Sequence, residues 1–151
     1  MSAAELTDRL RHARDPETLD AAIAEIPYAR FLGLRAAIEG EELRVCMPYA
    51  EPLIGDSSIP ALHGGTLGAL LESTAIFSVL WSTDAAELPK TVTLTVDYLR
   101  SGRAEDTWAA ARVTKRGRTI VIVHAEAWQQ DRKKPIATAN VHFLLRSLDP
   151  A

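Results

Sequence analysis

At 151 residues the chain is long enough for one domain with a substantial core. Its 17 Lys+Arg against 20 Asp+Glu give a net charge of -3, and 25% charged residues describe an ordinary soluble composition with nothing that points to nucleic acid. Cys46 is the single cysteine, which excludes a disulfide framework within the chain and fits a reducing compartment.

Residues 1–14 contain no apolar signal core, so neither secretion nor organelle targeting is indicated and a cytoplasmic location is expected. The polar, helix-prone residues 2–26 predict two short external helices. Asp15-Pro16-Glu17 supplies the N-cap, first-turn proline and first-turn acid of the second. Residues 27–33 read as a turn or short helix ending at Gly33. Residues 34–38 and 42–49 flank Glu39-Gly40-Glu41 as a hairpin, and residues 48–60, rich in Pro, Gly, Ser and Asp, form a loop leading to His63.

In residues 59–81 the only ionisable side chains are His63 and Glu72. This run is too long for a strand and lacks the polar face of a surface helix, so it predicts a helix buried on nearly all sides. It is also long enough for a membrane span, but Gly64-Gly65, the mid-run Glu72 and the strands that follow argue against one. Gly65, Gly68, Ala69, Glu72 and Ala75 recur at helical spacing, which sets the carboxylate on a stripe of small residues that something must approach closely. A buried carboxylate without a partner is costly and has its pKa pushed up, so Glu72 is the first candidate for chemistry.

A connector over residues 84–89 leads to four strand-like runs. In residues 91–99, Val92, Leu94, Val96 and Tyr98 share one face, and Thr91, Thr93, Thr95 and Asp97 the other. Residues 107–115 break at Arg116-Gly117, and residues 119–129 turn Val121, Val123, Ala125 and Ala127 one way. In residues 136–145, Ala137, Ala139, Val141 and Phe143 alternate with Thr138, Asn140 and His142. The connections are short enough for hairpins, so the sheet is expected to be antiparallel. His124 with Glu126, and His142, sit on polar strand faces and read as surface or interface groups, and no metal ligands are assigned. The predicted class is α+β: a curved antiparallel sheet of about six strands wrapped around one long central helix, with N-terminal helices added.

Leu62-His63-Gly64-Gly65, followed by Leu70-Leu71-Glu72, resembles the hotdog-fold acyl-CoA thioesterases of the phenylacetate-pathway (PaaI-like) type. These carry His-Gly-Gly at the start of the central helix and an acid nine positions after the histidine, the spacing found here. Residues 91–100 resemble the family's first long strand after the helix, and Lys115-Arg116-Gly117-Arg118 its basic hairpin turn. The resemblance covers residues 27–146, leaving residues 1–26 as an N-terminal extension and 147–151 as a C-terminal tail. It implies the hotdog fold and hydrolysis of an acyl-CoA or aryl-CoA thioester, with coenzyme A as part of the substrate and no other cofactor. It also implies sheets paired edge to edge in a dimer or dimer of dimers. The family usually has an asparagine in the loop before His-Gly-Gly, where this chain has Asp56, and its acid is more often Asp than Glu.

Thioester hydrolysis needs an oxyanion site and a group that attacks or activates water. The amides of Gly64 and Gly65, at a helix N-terminus, suit the first, and Glu72 suits the second as general base or nucleophile. His63 either takes part or only orients the loop. By the resemblance, Thr91 holds the water, with Thr93 as second choice. Lys115, Arg116, Gly117 and Arg118 are the expected contacts to the phosphates of coenzyme A. Gly64 and Glu72 are eight residues apart, about 12 Å along one helix, so one carbonyl cannot reach both. If both act, the site joins two chains across a twofold axis. The alternatives on the same fold are a non-catalytic acyl-CoA-binding or structural homologue and a hydratase/dehydratase.

Overall fold

The computed structural model describes residues 1–83, 85 and 87–145. The tail expected over residues 147–151 lies outside the described residues. Three short helices come first: α1 (Ala3–His12), α2 (Pro16–Ile23) and α3 (Pro27–Leu32). Ser2 and Glu5 close a capping box on α1, the Asp15 side chain accepts from Thr18 N to start α2, and α3 ends at Gly33. Strands β1 (Arg35–Glu39) and β2 (Glu42–Met47) form the expected hairpin. The stretch read as a loop carries more structure than its composition suggested. A 3₁₀ turn at Glu51–Leu53 leads to a two-stranded ribbon of β3 (Ile54–Asp56) and β4 (Ala61–Leu62).

The central helix α4 (Gly64–Ser82) is followed by β5 (Lys90–Tyr98), β6 (Thr107–Arg116), β7 (Ile120–Trp128) and β8 (Ala137–Leu144). The main sheet has six strands in the order β1-β2-β6-β7-β8-β5, with every pair antiparallel. Hairpins join β6 to β7 and β7 to β8. The link from β5 to β6 is not a hairpin, because it carries the chain from one edge strand to the interior of the sheet. The concave face presents Val45, Ala109, Val121, Val123, Ala125, Ala139, Val141 and Phe143 to α4, all at 0% exposure. The alanines let the helix approach, and Leu70, Leu71, Val79 and Leu80 are sealed against this face. Each such aliphatic side chain contributes roughly 1.5–3 kcal/mol by burial. The far end of α4 is covered by the N-terminal helices, where Trp81 Nε1 donates to Ala13 O at 2.7 Å.

By length and composition α4 could cross a membrane, but more than half of it is buried inside this fold. The helix is not buried on nearly all sides, as its composition predicted. The stripe of Gly65, Ala69, Glu72 and Ile76 is exposed or half-buried. It runs beside β5, whose own edge has no strand partner among the described residues.

Two β-bulges alter the alternation read from the sequence. Thr91 pairs with Phe143 but Thr93 with His142, so Val92 is the extra residue and is 60% exposed. Thr91 is thereby turned to the helix side, the face of Leu94, Val96 and Tyr98, and away from that of Thr93. A second bulge between Val113 and Lys115 brings Arg116 opposite the buried Val121.

Candidate functional site

His63 is the N-cap of α4, and its backbone is tied down on both sides. His63 N donates to Leu53 O at 2.8 Å, and His63 O accepts from Thr66 N at 2.9 Å. Its Nδ1 accepts from Gly65 N at 2.8 Å, which requires a ring that carries its proton on Nε2. The two glycine amides therefore differ. Gly65 N–H is engaged by the histidine, whereas Gly64 N–H has no partner among the described residues. A first-turn amide left free in this way can donate to an anion or an oxyanion.

Tyr98, which the residue pattern gave only as sharing a strand face with Val92, Leu94 and Val96, covers this helix start. Its hydroxyl donates to Gly64 O at 2.8 Å. A Cβ at position 64 would lie 3.2 Å from the Tyr98 ring, so a side chain there would crowd the tyrosine. The available signal was an aromatic seven residues after Thr91 on a strand facing a glycine stripe.

Eight residues along α4, Glu72 is half-buried and accepts from Thr91 Oγ1 at 2.7 Å through its Oε1. The carboxylate is thus not sealed without a partner. Its partner is the residue that the Val92 bulge turns inward. Thr93 is on the outer face of the sheet, paired with His142, and is not brought to Glu72. Asp56 is exposed and its carboxylate accepts from Ser58 N (2.9 Å) and Ser58 Oγ, which holds its pKa below the usual value. These bonds make it the brace of its own turn.

The register across the sheet sorts the remaining candidates. Arg116, Val121, Phe143 and Thr91 form one cross-strand row, so the turn of Lys115, Arg116, Gly117 and Arg118 lies at the Glu72 end. Tyr98 and Ala137 belong to the opposite end, with Gly64. Within one chain Gly64 and the Glu72 carboxylate are thus held apart, Gly64 tied to β5 through its carbonyl by Tyr98 and Glu72 by Thr91. Cys46 does not compete as a nucleophile, since burial pushes its thiol up to about 11. Among the described residues no three His, Cys, Asp or Glu side chains are grouped to hold a metal.

A family model described as the thioesterase superfamily matches residues 60–136, just over half of the chain. No curated protein matches it. Among solved structures, a protein from Chromobacterium violaceum is 36% identical, with 97% of each chain covered and a TM-score of 0.72. A phenylacetic acid degradation-related protein from Ralstonia eutropha is 24% identical, covering 92% of this chain and 98% of its own, with a TM-score of 0.69. A thioesterase from Haemophilus influenzae is 18% identical, covering 93% and 96%, with a TM-score of 0.77. The last two likenesses are those of the fold.

Proposed function

The chain belongs to the thioesterase superfamily and has its hotdog fold, and from that premise we propose that it hydrolyses acyl-CoA or aryl-CoA thioesters in a site shared by two copies. Gly64 N–H polarises the thioester carbonyl. Glu72 of the other copy either takes a proton from the attacking water or itself attacks the carbonyl carbon. In the first route the water oxygen replaces sulfur on the acyl carbon; in the second the C–S bond gives way to a mixed anhydride on Glu72, which water then cleaves to release the acid and restore the carboxylate. By either route a proton derived from water ends on the sulfur, which leaves as the thiol of coenzyme A. Thr91 orients the Glu72 carboxylate and the water beside it. His63 fixes the helix start, and no cofactor is required.

The observation that carries this reading is the pair of tethers at the two ends of β5. Thr91 reaches Glu72 and Tyr98 reaches Gly64. The β5 edge is nine residues long, free of proline, and exposes Val92 and Tyr98 by 60% and 55%. Such an edge is a template for another strand. Two β5 strands paired antiparallel about a twofold at Thr95, with Val92 as the bulged extra residue of each, bring Thr91 of one copy opposite Tyr98 of the other. Glu72 of the first copy then adjoins Gly64 of the second, which closes the 12 Å gap that one helix leaves (about 1.5 Å per residue). The protein is accordingly a dimer, or a dimer of dimers, acting in the cytoplasm.

The test is thiol release from a panel of acyl- and aryl-CoA thioesters, with Glu72→Gln alongside. Turnover that the variant loses supports the reading. Binding of the thioesters without thiol release would instead favour a non-catalytic acyl-CoA binder.

A further inference from the structure

Two consecutive peptide units open α4, and their polar groups are not treated alike. The His63–Gly64 unit has its carbonyl taken by Thr66, whose N donates at 2.9 Å and whose Oγ1 donates at 2.6 Å. The Gly64–Gly65 unit is held at both edges. Its carbonyl, Gly64 O, accepts from the Tyr98 hydroxyl at 2.8 Å, and its N–H, on Gly65, donates to His63 Nδ1 at 2.8 Å. In a trans peptide these two groups point to opposite sides, so the plane is gripped from both. Of the two units, only Gly64 N–H is left without a partner among the described residues.

His63 and Thr66 cap the helix from within its own first turn. Tyr98 alone reaches these two units from the sheet, 34 residues further on. It is the last residue of β5, and its register partner Ala137 is small and fully buried, which leaves room for the ring to lean over α4. Leu99 N and Arg100 N then both donate to Ile136 O, at 2.9 and 3.1 Å, and fix the backbone just past it. The ring lies against Gly64, and one turn on a Cβ at Gly68 would lie 3.7 Å from the hydroxyl. The torsions on either side of the 64–65 peptide belong to glycines and are the softest of the turn. Held by its N–H alone, that plane would pivot about the histidine. The hydroxyl stops the pivot, and by donating to the carbonyl it also strengthens the Gly65 N–H as a donor to His63. The carbonyl carbon so held is bonded to the Cα that carries the Gly64 nitrogen.

Resting on the thioesterase reading of the site, we propose that Tyr98 is a positioning residue of the reaction: its hydroxyl, with His63 Nδ1 on the opposite edge, clamps the Gly64–Gly65 peptide so that Gly64 N–H keeps one direction. Tyr98 touches no reacting atom in this role and acts through Gly64. A donor aimed in advance needs no reorganisation as charge builds on the thioester oxygen. The clamp therefore acts on the transition state and leaves the binding of the thioester unchanged.

The test is Tyr98→Phe, which keeps the ring on Gly64 and removes only the hydroxyl. With one acyl-CoA as substrate, kcat is expected to fall about five- to tenfold, short of the roughly 10²–10³-fold lost when an oxyanion donor itself is removed, while KM stays within about twofold. Amide hydrogen exchange followed by NMR supplies a readout without turnover. Gly65 N–H is expected to exchange about tenfold faster in the variant, while the amides of Leu70, Leu71 and Val79 in the same helix keep their wild-type rates. A fall in kcat with Gly65 exchange unchanged would put the hydroxyl on the substrate instead. Unchanged kcat, or a change confined to KM, would remove Tyr98 from the chemistry. Each of these results overturns the inference and leaves thioester hydrolysis standing. If the wild type cleaves no thioester while Gly65 exchange still quickens in Tyr98→Phe, the clamp stands and the hydrolysis reading falls.

Discussion

Removing the Thr91 hydroxyl tests the inward turn that the bulge at Val92 creates. In Thr91→Val the Glu72 carboxylate loses its 2.7 Å donor while the strand keeps a β-branched residue of nearly the same shape. A hydrogen bond to a charged group contributes about 1.5–3 kcal/mol. Glu72 is only half-buried, which favours the lower end, so the expected loss in kcat/KM is about tenfold at roughly 1.4 kcal/mol per decade. Thr91→Ser keeps the hydroxyl and should stay within about threefold of wild type on the same scale. Thr93→Val removes a hydroxyl on the outer face and should also change the rate by less than about threefold. Steady-state hydrolysis of a single acyl-CoA, with Tm to confirm intact folding, reads all three. Wild-type activity in Thr91→Val, or an equal loss in Thr93→Val, would refute the assignment of faces.

Three further outcomes follow from the same geometry. Glu72→Gln should fold normally by circular dichroism and lose about 10²–10⁴-fold in kcat, since the amide neither accepts a proton nor attacks; near-normal turnover in soluble protein would remove Glu72 from the chemistry. Asp56→Asn keeps an oxygen acceptor for Ser58 and should preserve the rate within about threefold, so a large loss would give Asp56 a role beyond its turn. On the convex face Arg132 makes a bidentate pair with Glu42 and a further bond to Glu126, and its guanidinium lies 4.6 Å from the Trp128 ring centroid. Chiefly through Arg132, the Glu42 carboxyl is held down to about 2 from 4.5. Its folded value lies below its unfolded one, so the stabilisation is present above 4.5 and fades as pH falls towards 2. Arg132→Ala should cost about 1–2 kcal/mol at neutral pH, an amount kept small by partial exposure, and the Tm gap between wild type and Glu42→Gln should close over that acid range.

Much of the fold was legible because burial writes itself into periodicity. The uncharged run around Glu72 gave the central helix, and the alternation of Ala137, Ala139, Val141 and Phe143 gave a strand with one sealed face. The bulges were not legible. An extra residue at Val92 leaves no mark in a run of alternating Thr and Val, yet it moves Thr91 from one face to the other. The β5–β6 connection misled for a related reason, since its length suits a hairpin and only the packing of the whole sheet sends β5 to the far edge. At the site, residue types suggested His63, Gly64 and Glu72. That His63 occupies the Gly65 amide, and that Tyr98 closes over Gly64, depends on distances no spacing rule supplies.

The claim that one reaction centre takes its parts from two chains is tested most directly by mixing two damaged proteins. Glu72→Gln lacks the carboxylate, and His63→Ala lacks the cap that orders the helix start. After subunit exchange, verified by native mass spectrometry, half of the dimers are mixed, and each mixed dimer has one site intact at both ends and one defective at both. Recovery to about a quarter of wild-type activity is expected from that count. Confirmed exchange with no gain over the parent variants, while His63→Ala alone is clearly impaired, would contradict the shared site and require a donor and carboxylate within one chain.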